Sequence, residues 1–136
     1  MPKFSQLSFS KLSQAHHDLQ VLFYEVIKTF DCKVLEAYRD EANQREAFKT
    51  GHSKLDWPKS KHNSQPAMAV DVAPYPIDFK NERRDSWFAG YVMGVAQKLK
   101  DEGKMTHAVR WGGDWDQDKD ITDNKFQDLN HFELIE

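Results

Sequence analysis

Three polar side chains have unusual surroundings in the sequence. Asp71 interrupts the apolar run AMAVDVA, where an unpaired carboxylate would be costly. His62 lies in the polar segment SKHNS, and His131 opens the apolar run HFELI. Taken singly, Asp71 is more often a solvent-facing or arginine-paired acid, and a lone histidine is more often polar surface. Together, two histidines and one carboxylate form a standard catalytic zinc set, with a fourth position open for water.

A zinc hydrolase also needs an acid that accepts the proton of the attacking water. Two carboxylates lie close to His131 in the sequence: Asp128, three residues before it, and Glu133, two residues after it. Strand alternation places Glu133 on the same face as His131, whereas a turn before the strand could fold Asp128 back towards the metal. Periodicity alone does not choose between these two acids.

Other catalytic signatures do not occur in the sequence. It contains no H-E-x-x-H helix, which excludes a zincin, and no G-x-S-x-G nucleophile elbow. The single cysteine, Cys32, excludes an internal disulfide framework and any zinc site built on two or more cysteines. A metal site must therefore use histidine, aspartate and glutamate.

An acidic loop over residues 112–124 is a separate candidate metal site. Its aspartates occupy every second position, as at positions 1, 3, 5 and 7 of an EF-hand calcium loop: Asp114, Asp116, Asp118 and Asp120. The EF-hand pattern then fails, because position 6 is Lys119 instead of glycine and position 12 is Lys125 instead of glutamate. The loop is thus either a calcium site or a solvated acidic loop beside Gly112-Gly113.

Hydrophobic periodicity predicts the elements that must position these residues. We expect helices over residues 15–30, 40–49 and 82–101, and strands over residues 32–38, 67–73, 108–111 and 131–135. The third helix should bury Trp87, Phe88, Tyr91, Val92, Val95, Ala96 and Leu99. Because helices and strands mix without a regular βαβ rhythm, we predict an α+β fold with helices packed on a small, mainly antiparallel sheet.

Length, composition and charge narrow the class of protein. The 136 residues fit one domain, residues 1–136. The net charge of −3, from 22 acidic and 19 basic residues, does not favour a nucleic-acid partner. No run approaches the roughly 18 apolar residues of a membrane helix, so we expect no membrane insertion. The first twenty residues lack the apolar core of a signal peptide, so we expect synthesis into the cytoplasm. The simplest expected state is a monomer.

Three segments, in order, carry a resemblance to a known family: SKHNSQPAMAVDVAPYPIDF, RWGGDWD and DLNHFEL. They resemble the VanY-type zinc peptidases, which include D-Ala-D-Ala carboxypeptidases and L-alanyl-D-glutamate endopeptidases, and most of all the single-domain phage endolysins. The family pattern, S-x-H, then Asp, then an acid three residues before a second His, is matched by Ser60, His62, Asp71, Asp128 and His131. The spacing from His62 to Asp71 is nine residues where seven is commoner, which predicts a longer turn around Pro66.

The resemblance implies a Hedgehog/DD-peptidase-like fold and a role for each matched residue. It implies that Zn²⁺ is bound by His62, Asp71 and His131. Asp128 would be the general base, which decides against Glu133. Arg39 would face the scissile carbonyl, although a surface or helix-entry charge is the alternative. Ser60 would bind substrate or support the ligands, although a plain turn serine needs no such role.

The expected function is therefore hydrolysis of a peptidoglycan stem peptide, at L-Ala-D-Glu, by a phage endolysin during host-cell lysis. Such an enzyme would wait in the cytoplasm and reach the cell wall once the membrane is permeabilised. The alternatives are a D-Ala-D-Ala carboxypeptidase or dipeptidase on the same scaffold, and a non-catalytic, metal-containing module that only binds the wall. The acid at Asp128 argues against the binding module, because a purely structural zinc needs no base beside it.

Overall fold

The computed structural model describes residues 2–120, 122 and 128–136. Within these residues the chain forms four α-helices, four β-strands and one 3₁₀ turn. In chain order they are α1 (Gln6–Leu12), α2 (His17–Ile27), β1 (Cys32–Glu36), α3 (Glu41–Lys49), the 3₁₀ turn (Lys61–Asn63), β2 (Ala69–Pro74), α4 (Glu82–Asp101), β3 (Ala108–Gly112) and β4 (Asp128–Ile135). The predicted α+β class is confirmed.

The four described strands form one sheet in the order β1-β2-β4-β3, and every neighbouring pair is antiparallel. The register between β2 and β4 places Asp71 directly opposite His131. The register between β3 and β4 places Arg110 opposite Glu133. Side chains directly opposite each other on one face of an antiparallel pair lie in contact distance. The sheet thus assembles four polar side chains from three strands that are far apart in sequence.

The two faces of this sheet have different partners. Successive residues of a strand point to opposite faces, so Asp71 faces away from Val70 and Val72, which are fully buried in the core. Phe132 of β4 lies on the core face, where its ring meets those of Phe23 at 5.5 Å and Phe88 at 6.3 Å. Helices α2 and α4 cover this face. The opposite face carries the polar side chains.

Helix α4 has the predicted bounds, but the prediction that Trp87 is buried is wrong. Trp87 is 71% exposed, and its ring packs edge-on against Phe30 with 5.3 Å between centroids. Viewed down the axis of α4, the buried stripe is centred on Phe88 and Val92. Trp87 lies at the margin of that stripe and therefore points largely into solvent. Within the described residues, no helix is both long and apolar enough to span a membrane.

Local capping explains where the helices begin and end. The Asp40 side chain accepts a hydrogen bond from Asn43 N at 2.9 Å and begins α3, and Gly51 follows that helix with φ of +84°. Helix α1 was not predicted. Ser5 caps it, but Leu12 is its only buried apolar residue, and Leu7 and Phe9 are exposed, so the helix buries no regular apolar stripe.

Candidate metal and catalytic site

His62, Asp71 and His131 converge at one point on the polar face of the sheet. His62 Nε2 lies 3.3 Å from Asp71 Oδ1, and His131 Nδ1 lies 3.2 Å from the same oxygen. The two ring nitrogens are 3.3 Å apart. The structure therefore brings together the three ligands predicted from the sequence, and the longer spacing between His62 and Asp71 does not separate them.

The 3₁₀ turn positions His62. Ser60 caps the turn, because its hydroxyl accepts from His62 N at 3.2 Å and its own backbone N–H donates to Asn63 Oδ1 at 3.1 Å. Arg39 N donates to His62 O at 2.8 Å, which joins the turn to the segment between β1 and α3. His62 Nδ1 lies 2.7 Å from Ala37 O and donates to it, so Nε2 carries the lone pair that faces Asp71.

The β-strand register and a carboxylate position His131. Its Nε2 lies 2.9 Å from Glu133 Oε1, while Arg110 Nη2 lies 2.6 Å from Glu133 Oε2. The Trp115 ring covers the His131 ring at 5.3 Å between centroids. Arg110 and Trp115 belong to the RWGGDWD segment, but sequence reasoning gave them no role. The sequence signal that could have indicated a role for Arg110 is its charge between Val109 and Trp111 in a short apolar strand.

The nitrogen atoms that carry the protons of His62 and His131 show whether these residues fit a metal. With both rings neutral, His62 donates from Nδ1 and His131 donates from Nε2, so the atoms that converge are two nitrogen lone pairs and a carboxylate oxygen. Three acceptors within 3.3 Å of one another have no hydrogen to share. A proton or a cation must lie among them, and the donor set of two imidazoles and one carboxylate suits Zn²⁺.

In the metal-free chain, a proton on His131 lies among these three acceptor atoms. Burial alone would lower the pKa of His131, but its hydrogen bonds with Asp71 and Glu133 raise that pKa to about 9. Burial alone would also raise the pKa of Asp71, but His62 and His131 hold it well below its usual range. The anionic side chain of Asp71 and the strongly proton-binding His131 together form a site that attracts positive charge.

Asp128, the first residue of β4, lines a cleft together with His62 and His131. The ladder places it opposite Gly112, where a Cβ would lie only 2.1 Å from Asp128 O, so this approach requires glycine. Burial raises the pKa of the Asp128 carboxyl, and the nearby Asp71 carboxylate raises it further against the opposing effect of the two histidines. Asp128 is therefore a better proton acceptor than an ordinary aspartate.

Arg39 also lines the cleft, which has a volume of about 460 Å³. Its Nη2 lies 3.8 Å from Asp71 Oδ2, and its Nη1 donates to Gln44 Oε1 at 2.9 Å. Its Nε donates to Glu36. Gln44, which is fully buried, is itself held by Ser53 and Leu55. The guanidinium is thus fixed beside the metal cluster, and it is not a free surface charge.

The acidic loop brings three of its four predicted aspartates together. Carboxylate oxygens of Asp114, Asp116 and Asp118 lie within 4.8 Å of one another, and Asp120 is not part of this group. Asp114 Oδ2 accepts from Lys119 N at 3.0 Å, and Asp120 Oδ1 accepts from Thr122 N at 2.9 Å. The residue at position 12, Lys125, lies outside the described residues. The loop is therefore braced by side-chain to backbone hydrogen bonds.

A further cluster, of His16, Asp18 and His107, has possible ligand atoms but does not suit a metal. His16 Nδ1 accepts from Asp18 N at 3.0 Å, so the neutral ring carries its proton on Nε2 and has no second lone pair to offer. Asp18 Oδ2 accepts from the backbone and side chains of both Thr106 and His107 at 2.8–3.0 Å. These bonds join α2 to the segment before β3, which is a structural role.

Comparisons with known proteins agree with this geometry. The sequence model of a family described as phage L-alanyl-D-glutamate peptidase matches residues 1–135. The crystal structure of the L-Ala D-Glu endopeptidase ChiX of Serratia marcescens superimposes with a TM-score of 0.71 at 23% sequence identity, over 99% of this chain and 90% of that chain. At this identity the superposition shows a shared fold. No curated protein matches the sequence.

Proposed function

Because the chain belongs to the phage L-alanyl-D-glutamate peptidase family, we propose that it is a zinc-dependent endolysin that hydrolyses the L-Ala-D-Glu bond of peptidoglycan stem peptides. The observation that carries the zinc proposal is the convergence of three lone-pair donors on one point, from His62, Asp71 and His131. Such a set leaves a position for water in a four-coordinate site, as catalytic zinc requires. Residues 1–136 act as a single catalytic domain in this proposal.

The ion bound by these three side chains would supply Lewis acidity, which makes water a nucleophile near neutral pH and polarises a carbonyl. Asp128 accepts the proton of the attacking water, because its carboxyl lines the same cleft as His62 and His131. Asp128 then returns the proton to the amine that leaves. The attack and the departure thus use one carboxyl group.

Arg39 stabilises the oxygen of the scissile amide as it gains negative charge. Its guanidinium is held by Glu36 and Gln44, so little reorganisation is needed when that charge develops. Ser60 supports the site through its cap on the 3₁₀ turn, and its position in the lining of the cleft also allows contact with substrate.

Digestion of purified cell walls tests the proposal. Clearing should disappear on chelation and return with Zn²⁺, and mass spectrometry of the products should show a new amino terminus on D-Glu. Release of D-Ala would instead indicate a carboxypeptidase or dipeptidase. Stoichiometric zinc binding without any product would indicate a binding module. His62→Ala, prepared in parallel, controls for a contaminating hydrolase.

We also propose the acidic loop as a Ca²⁺ site. Three carboxylates lie close together there, and Asp114 Oδ1 is buried without a hydrogen-bond partner among the described residues. A buried acceptor of this kind needs a cation or water. Calorimetric titration of metal-stripped protein with Ca²⁺ should show heat that Asp114→Asn removes. No heat and no change in melting temperature would refute the site.

The proposed setting is host-cell lysis. The protein would be made in the cytoplasm as a monomer and act on the wall after the membrane is breached. Light scattering tests the monomer. Expression in a bacterial host should cause lysis only when the membrane is permeabilised separately, and lysis without permeabilisation would refute this order of events.

A further inference from the structure

Glu133 lies on the far side of the His131 ring from the metal cluster. Its Oε1 is 2.9 Å from His131 Nε2, whereas His131 Nδ1 is the atom that approaches Asp71. The two nitrogens of an imidazole point away from each other across the ring. A water held at the metal cluster would therefore lie on the Nδ1 side of the His131 ring. The ring itself would separate that water from Glu133.

Both oxygens of Glu133 are already engaged. Oε1 accepts from His131, and Oε2 lies 2.6 Å from Arg110 Nη2 and 3.5 Å from Lys61 Nζ. The side chain is only 8% exposed, so its charge is buried and needs these two cations. Lys61 is fixed in turn by donating to Leu134 O. A carboxylate held in this way is a poor proton shuttle and a rigid hydrogen-bond acceptor.

The two histidines reach the cluster with opposite nitrogens, and each needs a different partner to do so. His62 presents Nε2 because Nδ1 donates to the carbonyl of Ala37. His131 presents Nδ1 because Nε2 donates to Glu133. A carboxylate partner fixes the tautomer as a carbonyl does, and it also makes the imidazole a stronger ligand.

We propose that Glu133 is a positioning residue that holds His131 with Nδ1 towards the metal, and that Arg110 and Lys61 hold Glu133. The proposal rests on the zinc site of the proposed function. It assigns Glu133 no contact with substrate and no proton transfer. The pair Arg110–Glu133 is a direct cross-strand pair of β3 and β4, so the sheet register itself sets this support.

Metal affinity of purified variants tests this role without substrate. Glu133→Ala and Glu133→Gln should each weaken Zn²⁺ binding by about 10- to 100-fold in competition with a chromophoric chelator. The Gln variant retains the shape but loses the charge, and its amide NH₂ would face the Arg110 guanidinium. The visible spectrum of the Co²⁺-loaded protein should change as His131 loses its fixed orientation. Glu41→Gln is the matched control, because Glu41 pairs with Arg45 at 2.8 Å on the surface.

Two outcomes would overturn the inference. If zinc affinity and the Co²⁺ spectrum match those of the wild type while the melting temperature of the metal-free protein falls, the contact is only a structural ion pair. If affinity is unchanged and kcat falls as far as in Asp128→Asn, Glu133 is the base. Failure of the proposed function can be distinguished from failure of this inference. A wild-type protein that binds zinc but leaves cell walls intact would refute the proposed function and would still permit the affinity comparison.

Discussion

The replacement Asp128→Asn separates catalysis from stability at one residue. A general base contributes about 10²- to 10⁴-fold to a hydrolytic rate, which corresponds to about 3–5 kcal/mol of transition-state stabilisation. Asparagine keeps the shape of Asp128 and its place opposite Gly112, but it cannot accept a proton. We therefore expect kcat to fall by that factor, with the zinc content unchanged, since Asp128 is not among the three converging ligands.

The same replacement should not destabilise the metal-free protein. Burial and the charge of Asp71 raise the pKa of Asp128, so its ionised form is less favourable in the folded chain than in the unfolded chain. The penalty exists above the folded pKa and vanishes below the unfolded value near 3.9. Asp128→Asn should therefore be at least as stable as the wild type at pH 7, and any advantage should disappear below about pH 4.

The assay combines three measurements on each variant. Release of soluble peptide from cell walls gives kcat, atomic absorption gives bound zinc, and urea unfolding at pH 7 and pH 3.5 gives stability. Asp101→Asn, at the exposed end of α4, is the control. Retention of more than a tenth of the wild-type kcat would refute Asp128 as the base. Loss of zinc together with activity would show that it acts as a ligand.

Three further predictions concern positions around the site and in the scaffold. Gly112→Ala should cost about 2–4 kcal/mol in urea unfolding and abolish clearing, because the new Cβ would lie 2.1 Å from Asp128 O, whereas Gly90→Ala meets nothing within 4 Å and should not destabilise. Arg39→Ala should lower kcat by about 10²- to 10³-fold with zinc affinity retained, and Arg45→Ala should not; an unchanged kcat would remove Arg39 from the mechanism. Although burial alone would raise it, the pKa of Asp18 is lowered by hydrogen bonds from His107 and Thr106. Ionised Asp18 therefore stabilises the fold above about pH 4, and this contribution is lost as the pH falls through the lower folded pKa; Asp18→Asn should cost about 2–3 kcal/mol at pH 7 and less at pH 3, and an equal cost at both would contradict this account.

The elements that the sequence predicted well are those whose signals are local. Helix α4 has a regular apolar period, Asn81 as its N-cap and Gly103 beyond its end, and its bounds agree with the prediction. Helix α1 gives no such signal, because Leu12 is its only buried apolar residue, and Leu7 and Phe9 are exposed. Trp87 shows the limit of periodicity, since a margin position of a stripe is buried only if a neighbouring element covers it.

The candidate ligand set was predictable from chemistry, but its assembly was not. An acid inside an apolar strand and two histidines in exceptional contexts indicate zinc without any knowledge of the fold. That Asp71 faces His131 depends on the antiparallel register of β2 and β4, which are separated by 53 intervening residues. Sequence separation of this size hides a register, because many pairings satisfy the same alternation.

The choice between the two acids near His131 shows most clearly what the three-dimensional arrangement adds. Alternation placed Glu133 on the same face as His131 without choosing between the two acids, and the family resemblance favoured Asp128. The structure places Glu133 between His131 and two cations, where burial alone would raise its pKa but the hydrogen bonds with His131 and Arg110 lower it to about 2. It places Asp128 beside the acidic Asp71, where burial and like charge raise the pKa. Two carboxylates whose surroundings move their pKa values apart are suited to different tasks, which agrees with the proposal that Asp128 is the base. In this proposal the acid that shares a strand face with His131 supports that ring, and the base is Asp128, the first residue of β4.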